Sequence, residues 1–281
     1  MKLILKGFLI GIGKIMPGVS GAMIAITLNE YNKIIESIAN IKKDIYNNTK
    51  YLSTIGIGII LAIITMSKIV VNCLSNHYFS TMLLFISIIL GGIIKLIKET
   101  KINIKDITIS TTIIILMILL LKITKLQNYS PNVYSIMEFI RLIGIGIIDA
   151  ISSIIPGISG TALLMYFGYY DKIITTFATL TQIGQLQNNI YTLIPFIIGF
   201  ITGTIIISKI LNKLMNKYPN IINTMVIIFM TYTIITLLSN AIKTHPTPIE
   251  TISGIILFLI SLIISIKIYY KSAKKQQNKY T

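Results

Sequence analysis

The chain has 281 residues, 54% of them hydrophobic and only 12% charged. A soluble chain of this length carries roughly a quarter of its residues as charges, so this composition excludes a soluble enzyme and a disordered chain. Lysine and arginine number 25 against 9 acidic residues, a formal net charge of +16. The lysines fall in loops between apolar runs, so they read as determinants of membrane orientation and partners of anionic lipid headgroups rather than of nucleic acid.

In chain order, the opening Met1-Lys2-Leu3-Ile4-Leu5-Lys6 resembles a signal peptide. Lys14 and Pro17 interrupt its apolar run and no small-x-small site follows, so it is read as mature protein. This first apolar region, about Leu3–Leu28, is broken by Pro17-Gly18-Val19-Ser20-Gly21. Three runs long enough to span a bilayer follow, about Tyr51–Val71, Phe79–Ile97 and Ile107–Ile123. A second broken region, about Ile140–Phe167, carries Pro156-Gly157-Ile158-Ser159-Gly160, and three more spans follow, about Tyr191–Leu211, Ile221–Asn240 and Ile252–Tyr270. Cys73 is the single cysteine, which excludes an intrachain disulfide, and His77 and His245 lie far apart in short loops.

The order is a duplication. A shift of 139 carries Gly7 to Gly146, Pro17 to Pro156, Ser20 to Ser159, Tyr31 to Tyr170 and Lys33 to Lys172. It also carries Ile34, Ile38 and Ile41 to Ile173, Phe177 and Leu180. Those steps of four and three place each set on one helical face, predicting an amphipathic interfacial helix after each break. Tyr31 and Tyr170 are expected as interface anchors. The first repeat covers 1–125 and the second 138–270, with a basic cytoplasmic tail at 271–281. Internal duplication of this kind is a transporter signature.

Lysine bias predicts the topology. If each broken segment dips in and returns, 18 lysines share one side and five (Lys68, Lys122, Lys125, Lys172, Lys243) the other. If each crosses, the split falls to about 13 against 10. The expected fold is therefore all-α: an inverted repeat, each half a re-entrant helical hairpin, an interfacial amphipathic helix and three transmembrane helices, with both termini cytoplasmic.

The breaks carry the chemistry. Proline lacks an N–H and disfavours helix in the residue before it, and glycine permits reversal. Such irregular backbone is tolerated at membrane depth only inside protein or beside a wet cavity. The helix arm after each break would aim free N–H groups at the membrane centre, with Ser20 and Ser159 as caps or anion donors. Two such ends meeting would form a phosphate or carboxylate site from Pro17, Gly18, Ser20, Gly21, Pro156, Gly157, Ser159 and Gly160. Packing kinks with capping serines are the plainer alternative. The ionisable groups in the broken segments are Lys14, Arg141 and Asp149, with Glu138 at the edge. Lys14 pairs with Asp149, or Lys14 and Arg141 snorkel to the interface, or the two cations help hold a phosphate. No catalytic set, metal motif or nucleotide loop is present, so a transporter without a cofactor is expected rather than an enzyme.

The doubled segment, Gly7…Pro17-Gly18-Val19-Ser20-Gly21…Tyr31 and Gly146…Pro156-Gly157-Ile158-Ser159-Gly160…Gly168-x-Tyr170, resembles the bacterial polyprenyl-phosphate transporter family. That resemblance implies translocation of undecaprenyl phosphate across the cytoplasmic membrane, recycling the carrier lipid of cell-wall polymer synthesis, with polyprenyl phosphate and the bilayer as partners. A homo-oligomer is compatible with it. Two departures stand out: Lys14 where relatives usually have Asp, and Ala22 where a second Gly is usual. The alternative reading is a secondary transporter or channel for a small soluble anion.

Overall fold

A computed structural model of the chain describes residues 2–16, 18–123, 135–158, 160–178 and 186–277, and these form twelve helices and no strand. Helix α1 (Leu3–Ile15) stops at Met16, whose φ of −71° and ψ of 127° are the extended values favoured before proline. Gly18 then turns the chain with φ +77°, a left-handed conformation that a side chain disfavours. Helix α2 (Gly21–Thr27) folds back along α1, with Gly13 against the Ile24 side chain and Gly21 against Ile10. It is apolar on every side and buried from Ala22 to Leu28, as a helix without a polar face must be.

Both ends of α2 are satisfied. The Ser20 Oγ accepts from Ala22 N at 3.3 Å. At the other end Asn29 takes φ +58° and Glu30 N donates to Ala25 O at 2.9 Å, a Schellman closure. The Lys95 and Lys6 ammonium groups cap the carbonyls of Ile26 and Leu28 at 3.1 and 3.3 Å. Helix α3 (Tyr31–Ala39) follows and packs between α4 (Ile45–Asn76) and α10 (Leu186–Lys217).

The same features recur 139 residues later. Helices α8 (Gly160–Tyr166) and α9 (Tyr170–Ala178) have the bounds of α2 and α3 advanced by that shift. Gly157 has φ +93°, Gly168 has φ +73°, and Tyr169 N donates to Leu164 O at 2.9 Å. Helix α7 (Ile136–Ile154) crosses α10 as α1 crosses α4. At both crossings glycines let backbones touch: Gly7 and Gly58 meet the carbonyls of Ile55 and Ile4, and Gly146 and Gly199 those of Phe196 and Ile143. Small residues serve this purpose where lipid gives apolar side chains no reason to associate.

The remaining long helices are α5 (Tyr78–Glu99), α6 (Ile104–Ile123), α11 (Pro219–Ile242) and α12 (Pro248–Gln277). Helices α4, α5, α10, α11 and α12 are long and apolar enough to cross a membrane. The remaining expected span, Ile107–Ile123, lies in the 20-residue α6, whose side chains beyond Leu116 fall outside the described residues. Outward faces are apolar, as at Ile57, Ile60 and Ile64 of α4 and Ile252, Ile256 and Ile260 of α12. This is a multi-pass membrane protein. Polar contacts join the helices at both ends and also midway, as between Ser87 and Ser261. One end joins Lys6 to Leu28 and Glu30 and Ser110 to Ile221, and there Asn40 and Lys213 line one cavity. The other joins Phe79 and Ser80 to Glu250.

Candidate functional site

The two broken segments come together. Gly18 faces Leu237 and Gly157 faces Phe229, both on α11 and eight residues apart, roughly 12 Å of helical rise. The Tyr31 phenol donates to the Ile154 carbonyl at 3.0 Å. That carbonyl is among those the end of α7 leaves without an intrahelical partner. Tyr31 is therefore a buried tie between the halves, 6% exposed, rather than the interface anchor expected from sequence.

Lys14 reaches across from the first segment. It is exposed, and its Nζ lies 5.5 Å from the centroid of the Phe200 ring on α10. Its charge reaches Asp149, yet no ion-pair contact within 4 Å joins the two. Asp149 instead lies over the first turn of α8: a Cβ at Gly160 would sit 2.6 Å from its Oδ1 and 2.7 Å from the Ser152 Oγ. Ile10 holds the corresponding place in the first half, against Gly21. The two tips thus differ, one facing a methyl group and the other a carboxylate.

Ser20 is buried at the first tip as the cap of α2. Pro156 is fully buried at the second. Pro17 and Ser159 lie outside the described residues.

Arg141 is not brought to the tips. It sits eight residues before Asp149 on α7, roughly 12 Å along the axis, where it neighbours the Tyr169 phenol. That phenol donates to Glu138 Oε2 at 3.0 Å, and Lys172 Nζ donates to Glu138 Oε1 at 2.6 Å. Burial first, then the Glu138 carboxylate, push the Tyr169 pKa up to about 12, so it remains a donor. The first half has a comparable corner: Glu30 accepts from Lys6 and, at 2.6 Å, from Tyr51. Glu30 and Glu138 are both buried. Sequence reasoning placed Glu138 only at an edge and passed over Glu30, Tyr51 and Lys95. The available signal was scarcity: with nine acidic residues in so apolar a chain, a carboxylate beside a broken segment needs a partner.

A family model described as "VCA0040-like: Undecaprenyl phosphate translocase-like" matches residues 10–252. A Staphylococcus aureus protein named polyprenyl-phosphate transporter is 27% identical over 188 residues, covering 64% of this chain and 66% of that protein. A Vibrio cholerae protein of the same name is 26% identical over 187 residues, covering 60% and 58%. The match thus spans less than two thirds of each relative's length. No solved structure matches.

Proposed function

The chain belongs to the VCA0040-like, undecaprenyl phosphate translocase-like family, and from that premise we propose that it carries a polyprenyl phosphate across the cytoplasmic membrane, returning the carrier lipid used in cell-wall polymer synthesis. The relatives named polyprenyl-phosphate transporter support the substrate class. The observation that carries the site is the meeting of the two broken segments on α11, with the exposed Lys14 of one within electrostatic reach of Asp149 of the other. A headgroup bearing roughly −1.5 to −2 charges cannot cross hydrocarbon unaided. Lys14 supplies the cation, Ser20 and Ser159 with the tip N–H groups supply donors, and the isoprenoid tail stays in lipid beside the site. Asp149 acts on Lys14 only at longer range, without an ion-pair contact, which leaves the ammonium group free to meet the phosphate. Arg141, held at the Glu138–Tyr169 corner, orients the second segment and does not touch the headgroup at the tips.

The re-entrant reading of the broken segments belongs to this proposal. Helices α2 and α8 have seven residues each, roughly 10 Å of rise against a hydrocarbon core of about 30 Å. The contact of Lys6 with Leu28 supports a segment that enters and leaves at one face. Two such halves of opposite orientation, 1–125 and 138–270, with 271–281 as a cytoplasmic tail, would expose one central site to each side in turn.

The test is headgroup accessibility of undecaprenyl phosphate in proteoliposomes. Wild-type protein should equilibrate the headgroup between leaflets; vesicles indistinguishable from protein-free ones would overturn the function. Ser20→Ala with Ser159→Ala should slow transport tenfold or more, because a hydrogen bond to a charged group is worth about 1.5–3 kcal/mol. A double variant with the wild-type rate would make the tips packing kinks alone.

A further inference from the structure

Helix α10 ends in a polar stripe. Lys209, Asn212, Lys213, Asn216 and Lys217 follow one another at steps of three, one, three and one, which puts all five on one helical face. With Ala39 and Asn40 at the end of α3 they line a cavity of about 430 Å³. The three ammonium groups, four residues apart, repel one another, and among the described residues no carboxylate comes within 4 Å of them. The Lys217 Nζ lies 5.1 Å from the centroid of the Tyr218 ring. Attraction to the helix C-terminus accounts for lysines in the last turn. It does not account for Lys209 two turns earlier, for the interleaved asparagines, or for the concavity they share.

Depth and surroundings identify the occupant. Phe200, under Lys14, lies thirteen residues before Lys213 on the same helix, roughly 20 Å of rise where half the hydrocarbon core is about 15 Å. If Lys14 lies near mid-membrane, the stripe is at headgroup level. Ile206 and Ile210, 53% and 51% exposed, run from it toward the membrane centre. We propose that this cavity is a separate binding site for the phosphate headgroup of an anionic phospholipid, whose acyl chains lie along Ile206 and Ile210. Lysines supply the charge, and Asn40, Asn212 and Asn216 supply amide donors. The site stands apart from the transport tips, and its depth rests on the reading that places Lys14 near mid-membrane.

The same phosphate chemistry could come from free phosphate or from a polyprenyl phosphate, so the experiment separates them. The full-length chain is titrated in detergent with phosphatidylglycerol, phosphatidylcholine, undecaprenyl phosphate and inorganic phosphate, and bound lipid is read by native mass spectrometry. Phosphatidylglycerol should be retained over phosphatidylcholine. Lys213→Gln with Lys217→Gln should weaken its binding about tenfold or more, the loss expected for charged hydrogen bonds. Lys101→Gln with Lys105→Gln removes the same charge from exposed positions outside the cavity and should leave binding within about twofold, since exposed distant charges are screened. An equal loss in that control would reduce the effect to diffuse surface charge and overturn the site. Equal retention of phosphatidylcholine, displacement by inorganic phosphate at matched concentration, or tighter binding of undecaprenyl phosphate that is lost with Lys213 and Lys217 would each overturn the assignment to an anionic phospholipid.

Discussion

Lys14 is charged, exposed and placed at the break of an apolar segment, with an aromatic ring rather than a carboxylate as its near neighbour. A lysine locked in a buried ion pair would leave a stranded charge on removal of its partner, at a cost of about 3–5 kcal/mol. Here no such contact exists, so Lys14→Gln strands no partner and should change stability by no more than about 1 kcal/mol. Transport should fall sharply, because the phosphate loses its cation. Asp149→Ala removes the carboxylate's hydrogen bond with Ser152 and should cost about 1 kcal/mol, the net worth of one such bond. Thermal melts beside a transport assay check both, and a Lys14→Gln protein that transports normally would remove Lys14 from the mechanism.

The crossings of α1 with α4 and of α7 with α10 set where the tips lie, and they depend on glycines in backbone contact. Gly7→Ala or Gly146→Ala would force the helices apart, with a cost of about 1–3 kcal/mol typical of overpacking. Gly56 and Gly144, on α4 and α7, have nothing within 4 Å of a new Cβ. Alanine there should be neutral or stabilising by up to about 1 kcal/mol from helix propensity alone. Melting curves of the four variants separate crossing geometry from propensity. The crossings were half legible: Gly7 and Gly146 fell on one another under the shift of 139, but nothing in the sequence named Gly58 or Gly199 as their partners. The breaks were more legible, because proline and glycine dictate backbone locally, and Met16, Gly18, Ile155 and Gly157 took the expected conformations. Arg141 was not, because its distance from the tip depends on α7 running unbroken to Ile154. Tyr31 was misread for a similar reason, since its partner Ile154 is 123 residues away. Lys95 escaped notice because a lysine near the end of a span looks like a snorkelling side chain until Ile26 and Asn29 are seen to hold it.

The placement of the loops bears on the two topologies that lysine counting weighed. If the broken segments crossed, residues 29–50 and 98–106 would lie opposite the N-terminus and 212–220, a hydrocarbon thickness of about 30 Å away. In the folded chain Asn40 lines one cavity with Lys213 and Lys217, Glu99 and Asn29 line another with Asn223, and Ser110 donates to Ile221 at 3.1 Å. Those contacts suit the re-entrant arrangement, which also collects 18 lysines on one side. Replacement of Cys73, the one native thiol, permits labelling of single introduced cysteines in intact cells. Asn40→Cys and Asn103→Cys should resist a membrane-impermeant reagent added outside, while Gln187→Cys and Lys243→Cys should react with it. Labelling of Asn40→Cys and Asn103→Cys from outside, with both termini inside, would mean that each broken segment crosses. The tips would then be kinks within spans, and the central site shared by two opposed hairpins would be lost with them.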